Sequence, residues 1–178
     1  MTEDITLRDA VAQDAPAIAN VHVQSWRATY RGIMDDAYLD GPVEDERARV
    51  WAERMGAAEP PLVVVAEKAG EMVGFACAFP AEDAKWGTRI DNLHVRPGHQ
   101  RQGIATRMMR SLAKRIATVE PELPVFLWVY DVNAVARAAY RALGGQASEK
   151  GTRTGADGSV TAAWRMTWPQ PLAIGAEQ

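Results

Sequence analysis

Gln100-Arg101-Gln102-Gly103-Ile104-Ala105 lies between a stretch that reads as a strand and one that reads as a helix, and its reading decides the fold. Before it, Arg89-Ile90-Asp91-Asn92-Leu93-His94-Val95 mixes β-branched and apolar residues until Pro97-Gly98 ends the run. After it, Ile104, Met108, Leu112 and Ile116 recur at every fourth position, which predicts a helix with one buried face. A glycine-containing turn that opens a helix is a ready anion site. The first N–H groups lack partners, the helix dipole leaves partial positive charge there, and Gly103 lets a ligand approach the backbone. A phosphate group is the expected ligand.

The surrounding residues narrow the kind of phosphate. A nucleoside triphosphate loop requires Gly-x-x-x-x-Gly-Lys-Ser/Thr, and the chain has no Gly-Lys pair. A dinucleotide fold requires Gly-x-Gly-x-x-Gly, and this turn offers only Gly103. Downstream, Leu123-Pro124-Val125-Phe126-Leu127-Trp128-Val129-Tyr130 is an apolar run suited to a strand buried on both faces. The alanine-rich segment that follows predicts a helix that Asn133 or Asp131 can cap and Gly144 or Gly145 can end. Asn133 and Tyr140 then share one helical face, about 10 Å apart along the axis.

Together these two segments resemble the GCN5-related N-acetyltransferase (GNAT) superfamily. Gln100 to Ala105 resembles its Gln/Arg-x-x-Gly-x-Gly/Ala signature, and Asn133 to Gly144 resembles its Asn-x-x-Ala-x-x-x-Tyr-x-x-x-Gly segment. The resemblance rests mainly on Ile90 to Tyr140 and extends from Ile5 to Trp168, while His22 to Gly32 looks like a segment of bacterial members. It implies an α+β fold with three α/β/α-like layers, in which a mixed, mainly antiparallel sheet of about seven strands carries about four helices. It also implies transfer of an acetyl group from acetyl-coenzyme A, as cosubstrate, to a primary amine.

The resemblance assigns roles residue by residue. Gln100, Arg101, Gln102, Gly103, Ile104, Ala105 and Thr106 would hold the pyrophosphate. The backbone of Leu93 and Val95 would pair with pantetheine, Val95 facing the thioester carbonyl, and Asn133 would meet an amide of the same arm. Tyr140 would donate to the leaving thiolate. Asp91 is the expected general base, because period-two alternation places it on the face of Leu93 and Val95. His94 has the more suitable intrinsic pKa, but the same alternation points it to the other face. His22 and Glu3 are further candidates. Trp26 and Tyr30, with Tyr38 and Trp86, would line the acceptor site. The expected acceptor is a small-molecule amine. A protein or peptide N-acetyltransferase with an open groove and a non-catalytic acyl-coenzyme A sensor are the alternatives.

Composition adds exclusions. A net charge of −3 over 178 residues speaks against nucleic acid as the partner. The single cysteine, Cys77, rules out an internal disulfide framework and reads as a small buried residue. Three scattered histidines offer no metal-ligand spacing, so no metal is expected. With neither a signal segment nor a membrane span, a cytoplasmic protein is expected. The chain reads as one domain over residues 1–169 with a tail over 170–178, and the resemblance is compatible with a homodimer.

Overall fold

The computed structural model describes residues 5–176. In order these form β1 (Thr6–Asp9), α1 (Ala15–Thr29), α2 (Asp36–Asp40), α3 (Val43–Gly56), β2 (Leu62–Lys68), β3 (Glu71–Asp83), β4 (Gly87–Val95), α4 (Ile104–Val119), β5 (Val125–Tyr130), α5 (Ala134–Ala142), β6 (Gln146–Thr154) and β7 (Val160–Trp168). The seven strands make one sheet in the order β1-β2-β3-β4-β5-β7-β6. Five helices are present rather than four. Asp35 caps the start of the extra one, α2, its Oδ1 accepting from Ala37 N–H at 3.0 Å.

Alternation along β2 sorts the layers. Val63 and Val65 turn toward α1 and α3, meeting Ile18, Trp51, Phe75 and Cys77. Val64 and Ala66 turn to the opposite face, where α4 packs. The periodicity expected of α4 is realised, since Ile104, Met108, Leu112 and Ile116 are all buried. Each such side chain contributes about 1.5–3 kcal/mol of burial. Cys77 is fully buried too, and burial pushes its thiol up to about 12. Beyond Pro169, in the stretch read as a tail, the chain makes a 3-10 turn at Pro171–Ala173 that packs on α4. Ile174 is buried, and Gly175 N–H donates to Leu143 O at 2.9 Å. The apolar residues in Pro-Leu-Ala-Ile drive this docking, and the flanking prolines had masked it.

Only β4 and β5 run parallel, and they pair solely at Thr88↔Val125 and Arg89↔Phe126 before parting. The junction is tight where it starts. Thr88 N–H donates to Pro124 O at 2.9 Å, and Gly87 takes φ +74 directly against that carbonyl. A β-carbon at Gly87 would lie 2.2 Å from Pro124 O, so no other residue fits. Gly87→Ala is expected to destabilise the protein by about 2–3 kcal/mol, read as a lower urea midpoint.

On the α1 face two imidazoles are enclosed. His22 is fully buried, its Nδ1 accepts from Trp51 Nε1–H at 2.9 Å, and its ring stacks on His94 at 4.6 Å. Burial, and then the neighbouring charges, hold His22 well below its usual pKa, while burial, against the opposing Asp91 carboxylate, brings His94 down to about 4. Unfolding releases both to about 6.5, so below that value the unfolded chain binds more protons and stability is lost as pH falls. The unfolding free energy is expected to drop between pH 6.5 and 5 with a slope of up to about 1.4 kcal/mol per unit for each imidazole. His22→Gln, which cannot titrate, should flatten that slope in urea titrations.

Candidate active site

The parting of β4 from β5 exposes main chain rather than side chains. Arg96 N–H donates to Val73 O at 2.8 Å, and Val95 stands opposite Gly74 in the β3–β4 ladder. Antiparallel alternation therefore turns the N–H and C=O groups of Leu93 and Val95 away from β3, toward β5. There the β4–β5 ladder has already ended, so these groups face a gap. A cavity of about 870 Å³ runs through the gap, from Gln100, Arg101 and Ala105 at one end to Trp26, Tyr30 and Arg47 at the other.

The Gln100 end is a cradle of left-handed backbone. Gly98 (φ +87), Arg101 (φ 60) and Gly103 (φ +75) all take positive φ within six residues. For Arg101 this conformation costs about 1–2 kcal/mol, strain typical of a loop held for a ligand. The first intrahelical bond of α4 runs from Arg107 N–H to Gly103 O at 3.0 Å. The N–H groups of Ile104, Ala105 and Thr106 are thus left at the helix start, and with the left-handed turns they form an anion nest. The side chains diverge. Those of Gln100, Arg101 and Ala105 line the cavity, Gln102 and Gly103 are exposed, Thr106 is half-buried, and Ile104 is buried in the core.

Helix α5 supplies the other wall. Of the two expected caps, Asn133 serves, its Oδ1 accepting from Ala136 N–H at 3.1 Å. Asp131 instead pairs with Arg137 and Lys150, at 2.9 Å each, and accepts from Trp164. Asn133 and Tyr140 both line the cavity, as their seven-residue spacing predicts. Tyr140 stands edge-on to Trp168, with ring centres 6.3 Å apart. Burial, and then the nearby Tyr30 hydroxyl, raise its pKa well above the ordinary tyrosine value. Burial and Tyr130 push Tyr30 up to about 12, against the opposing hydrogen bond from Asn133.

On the α1 and α3 side, one expectation fails. Ile90 pairs with Ala78 and Asn92 with Cys77, so Asp91 is the extra residue of a β-bulge. The bulge breaks alternation, and Asp91 turns not with Leu93 and Val95 but toward α3. There its Oδ2 meets Arg54 Nη1 at 2.9 Å, while Oδ1 is held by Arg89. His94 does point to the α1 face, as alternation predicts, yet it lines the cavity there, its Nδ1 lying 2.9 Å from Ser25 Oγ. His22 is sealed behind it, and Glu3 lies outside the described residues. Trp26 and Tyr30 line the cavity. Tyr38 and Trp86 do not: the Tyr38 hydroxyl donates to Glu46 at 2.6 Å, and Trp86 stacks beneath Arg165 at 4.2 Å.

Sequence reading missed Ser25, Arg47, Arg54 and Arg153, all in the cavity wall. Arg47 and Arg54 were embedded in an amphipathic charged helix, where nothing marks an inward-facing cation. The tip of the β6–β7 hairpin closes this side, with Asp157 Oδ2 accepting from Asp35 N–H at 2.8 Å and Gly155 and Ala156 lining the cavity. Among the described residues, no cluster of three His, Cys, Asp or Glu side chains could hold a metal ion, and no helix is long and apolar enough to cross a membrane.

Comparison with known proteins agrees with this geometry. Residues 23–144 match the family model described as Acetyltransferase (GNAT) family. The chain is 28% identical over 131 residues to the uncharacterized N-acetyltransferase YuaI of Bacillus subtilis, covering 72% of this chain and 73% of that protein. Its fold is similar to that of PaiA N-acetyltransferase from Thermoplasma acidophilum in complex with coenzyme A, with TM-score 0.73, 17% identity, and coverage of 92% of this chain and 98% of that one. It is also similar to YncA from Salmonella typhimurium with its cofactor acetyl-CoA, with TM-score 0.68, 18% identity, and coverage of 98% and 96%. A sheet parted at one parallel junction, with an anion nest beside the gap, here belongs to an enzyme of the acetyltransferase (GNAT) family, and the chain is a member of it.

Proposed function

We propose that the enzyme transfers an acetyl group from acetyl-coenzyme A to the primary amine of a small molecule by direct attack, with both ligands bound at once. The observation that carries this reading is the gap itself. Unpaired main chain at Leu93 and Val95 suits the amides of pantetheine, and the nest at Gly98 to Thr106 suits the pyrophosphate. When bound, the cosubstrate supplies an activated thioester whose C–S bond breaks as the amine nitrogen forms the amide. The small-molecule preference is supported by the contact of Asp157 with Asp35, which brings the β6–β7 hairpin tip against the loop before α2 on that side of the cavity.

The residues then divide the work. Val95 N–H, turned into the gap, is placed to donate to the thioester carbonyl as charge develops on oxygen. Tyr140 is held neutral by its raised pKa and donates a hydrogen bond to the departing sulfur, without handing over its proton. A thiol, near 8.5, is far the stronger acid. Asp91 has each carboxylate oxygen engaged by a guanidinium, which supports a role in positioning Arg54 and Arg89 rather than in taking the amine's proton. His94, neutral at pH 7, faces the same space beside Ser25 and can accept a hydrogen bond from the attacking amine there.

The deciding experiment follows free-thiol release from acetyl-coenzyme A across a panel of amines, with peptides bearing free N-termini and lysines in parallel. Turnover confined to peptides would replace the small-molecule reading, and tight cofactor binding with no turnover anywhere would favour an acyl-coenzyme A sensor. Tyr140→Phe is expected to lower kcat about 10- to 100-fold while coenzyme A affinity changes less than about twofold. Unchanged turnover would remove Tyr140 from the mechanism. Asp91→Asn is expected to lower kcat/KM by a factor that stays constant from pH 7 to 9. A loss that vanishes at high pH, where free amine is abundant, would instead make Asp91 the base.

A further inference from the structure

The wall of the cavity carries mostly positive charge. Among the described residues, the ionised side chains lining the whole cavity are Arg47, Arg54, Arg89, Arg101, Arg153 and Asp91, five cations against one anion. Arg101 belongs to the phosphate cradle. Arg54 and Arg89 share Asp91, and Arg89 also pairs with Glu82. Arg47 and Arg153 remain.

Arg47 is 8% exposed and holds its guanidinium 4.9 Å over the Trp26 ring. Its Nη2 donates to Glu46 Oε1 at 2.6 Å, but the other oxygen of Glu46 already accepts the Tyr38 hydroxyl, and Glu46 is not part of the cavity wall. Arg47 Nε–H is enclosed with no acceptor. A buried guanidinium with an unused donor is costly, and such a group calls for a partner. Arg153, at the start of the hairpin tip, lies 5.3 Å over the Trp128 ring, so its hold is on an aromatic face. Both cations border the same cavity.

We infer that this wall binds an anionic group of the acceptor, so that the substrate class is an amine that also carries a carboxylate or a comparable oxyanion, seated on Arg47 with Arg153 on the hairpin side. The inference rests on the acetyltransfer reading above and names the substrate of that same site. A fork of guanidinium donors suits a planar carboxylate in two-point contact. The positive wall disfavours an acceptor whose only charge is ammonium, and a diamine still more. It also favours the uncharged, nucleophilic form of the amine once the acceptor is bound. The acceptor's own anion offsets the repulsion that would otherwise keep it out.

The test measures acceptor binding by calorimetry in the complex with coenzyme A, which needs no turnover. Two matched sets serve as probes: 4-aminobutanoate, butylamine and 1,4-diaminobutane, and L-phenylalanine against phenethylamine. In at least one set the amino carboxylate is expected to bind about tenfold or more tightly than its partner lacking the carboxylate, with the diamine weakest. Arg47→Gln should erase the preference while leaving coenzyme A affinity intact, and Arg47→Lys should restore part of it. If Arg47→Gln loses coenzyme A binding through misfolding, Arg153→Gln, nearer the surface, must show the same loss of preference. Equal or tighter binding of the simple amines or the diamine, or no binding of any probe, overturns the inference. Thiol release measured alongside keeps the two readings apart: turnover of diamines alone would leave acetyl transfer standing and remove the anionic acceptor.

Discussion

The tight start and the open end of the β4–β5 junction are the constraint on which the rest of the molecule depends. A sheet gains by pairing every main-chain donor and acceptor, and buried groups left unpaired are expensive. Here Gly87 draws the two strands together against Pro124, and two residue pairs later they diverge. The divergence leaves the main-chain groups of Leu93 and Val95 facing the gap, free to pair with the amides of a ligand. Helix α4 begins at one end of the opening, α5 flanks it, and α1 and α3 stand across the other face. On the proposed reading, recognition of the cosubstrate is a backbone property, set by where strands separate.

Charge follows a different logic from the global composition. The chain is acidic overall, with a net charge of −3, yet its cavity faces five arginines and one aspartate. A cleft with low-dielectric walls concentrates the field of the charges that line it, so the sign inside can oppose the sign outside. The carboxylates that balance these arginines, Glu46 and Glu82, lie outside the cavity wall. A dipolar arrangement results, with its positive end toward the ligand.

Legibility in the sequence differed between the two halves of the site for physical reasons. The cofactor half was readable because it uses short contiguous segments. Gly103 marks the left-handed turn, the four-residue recurrence from Ile104 marks α4, and Asn133 with Tyr140 marks one face of α5. Period two also carried the strands, until β4. The bulge at Asp91 inserts one residue opposite Cys77 and Ala78, and every face assignment on its N-terminal side then inverts. No residue type there announces a bulge. The side of the cavity proposed for the acceptor joins Ser25 on α1, Arg47 on α3, His94 on β4 and Arg153 on β6, segments whose proximity exists only in the folded sheet. The docking of Ile174 was hidden likewise, since a few apolar residues after two prolines gain meaning only beside α4.

The clasp between Asp35 and Asp157 bears on the order in which ligands can come and go. The nest at Gly98 to Thr106 is reached from the α4 end of the cavity, whereas the space under the clasp lies on the α1 and α3 side. Two ligands meeting in the gap would arrive from opposite faces of the sheet, and neither would bar the other's route. A single hydrogen bond from main chain to an exposed carboxylate opens far faster than an enzyme turns over. On the proposed reading, the scaffold imposes no compulsory sequence of addition. Any kinetic preference for one ligand first must come from what its binding does to the gap, not from a blocked entrance.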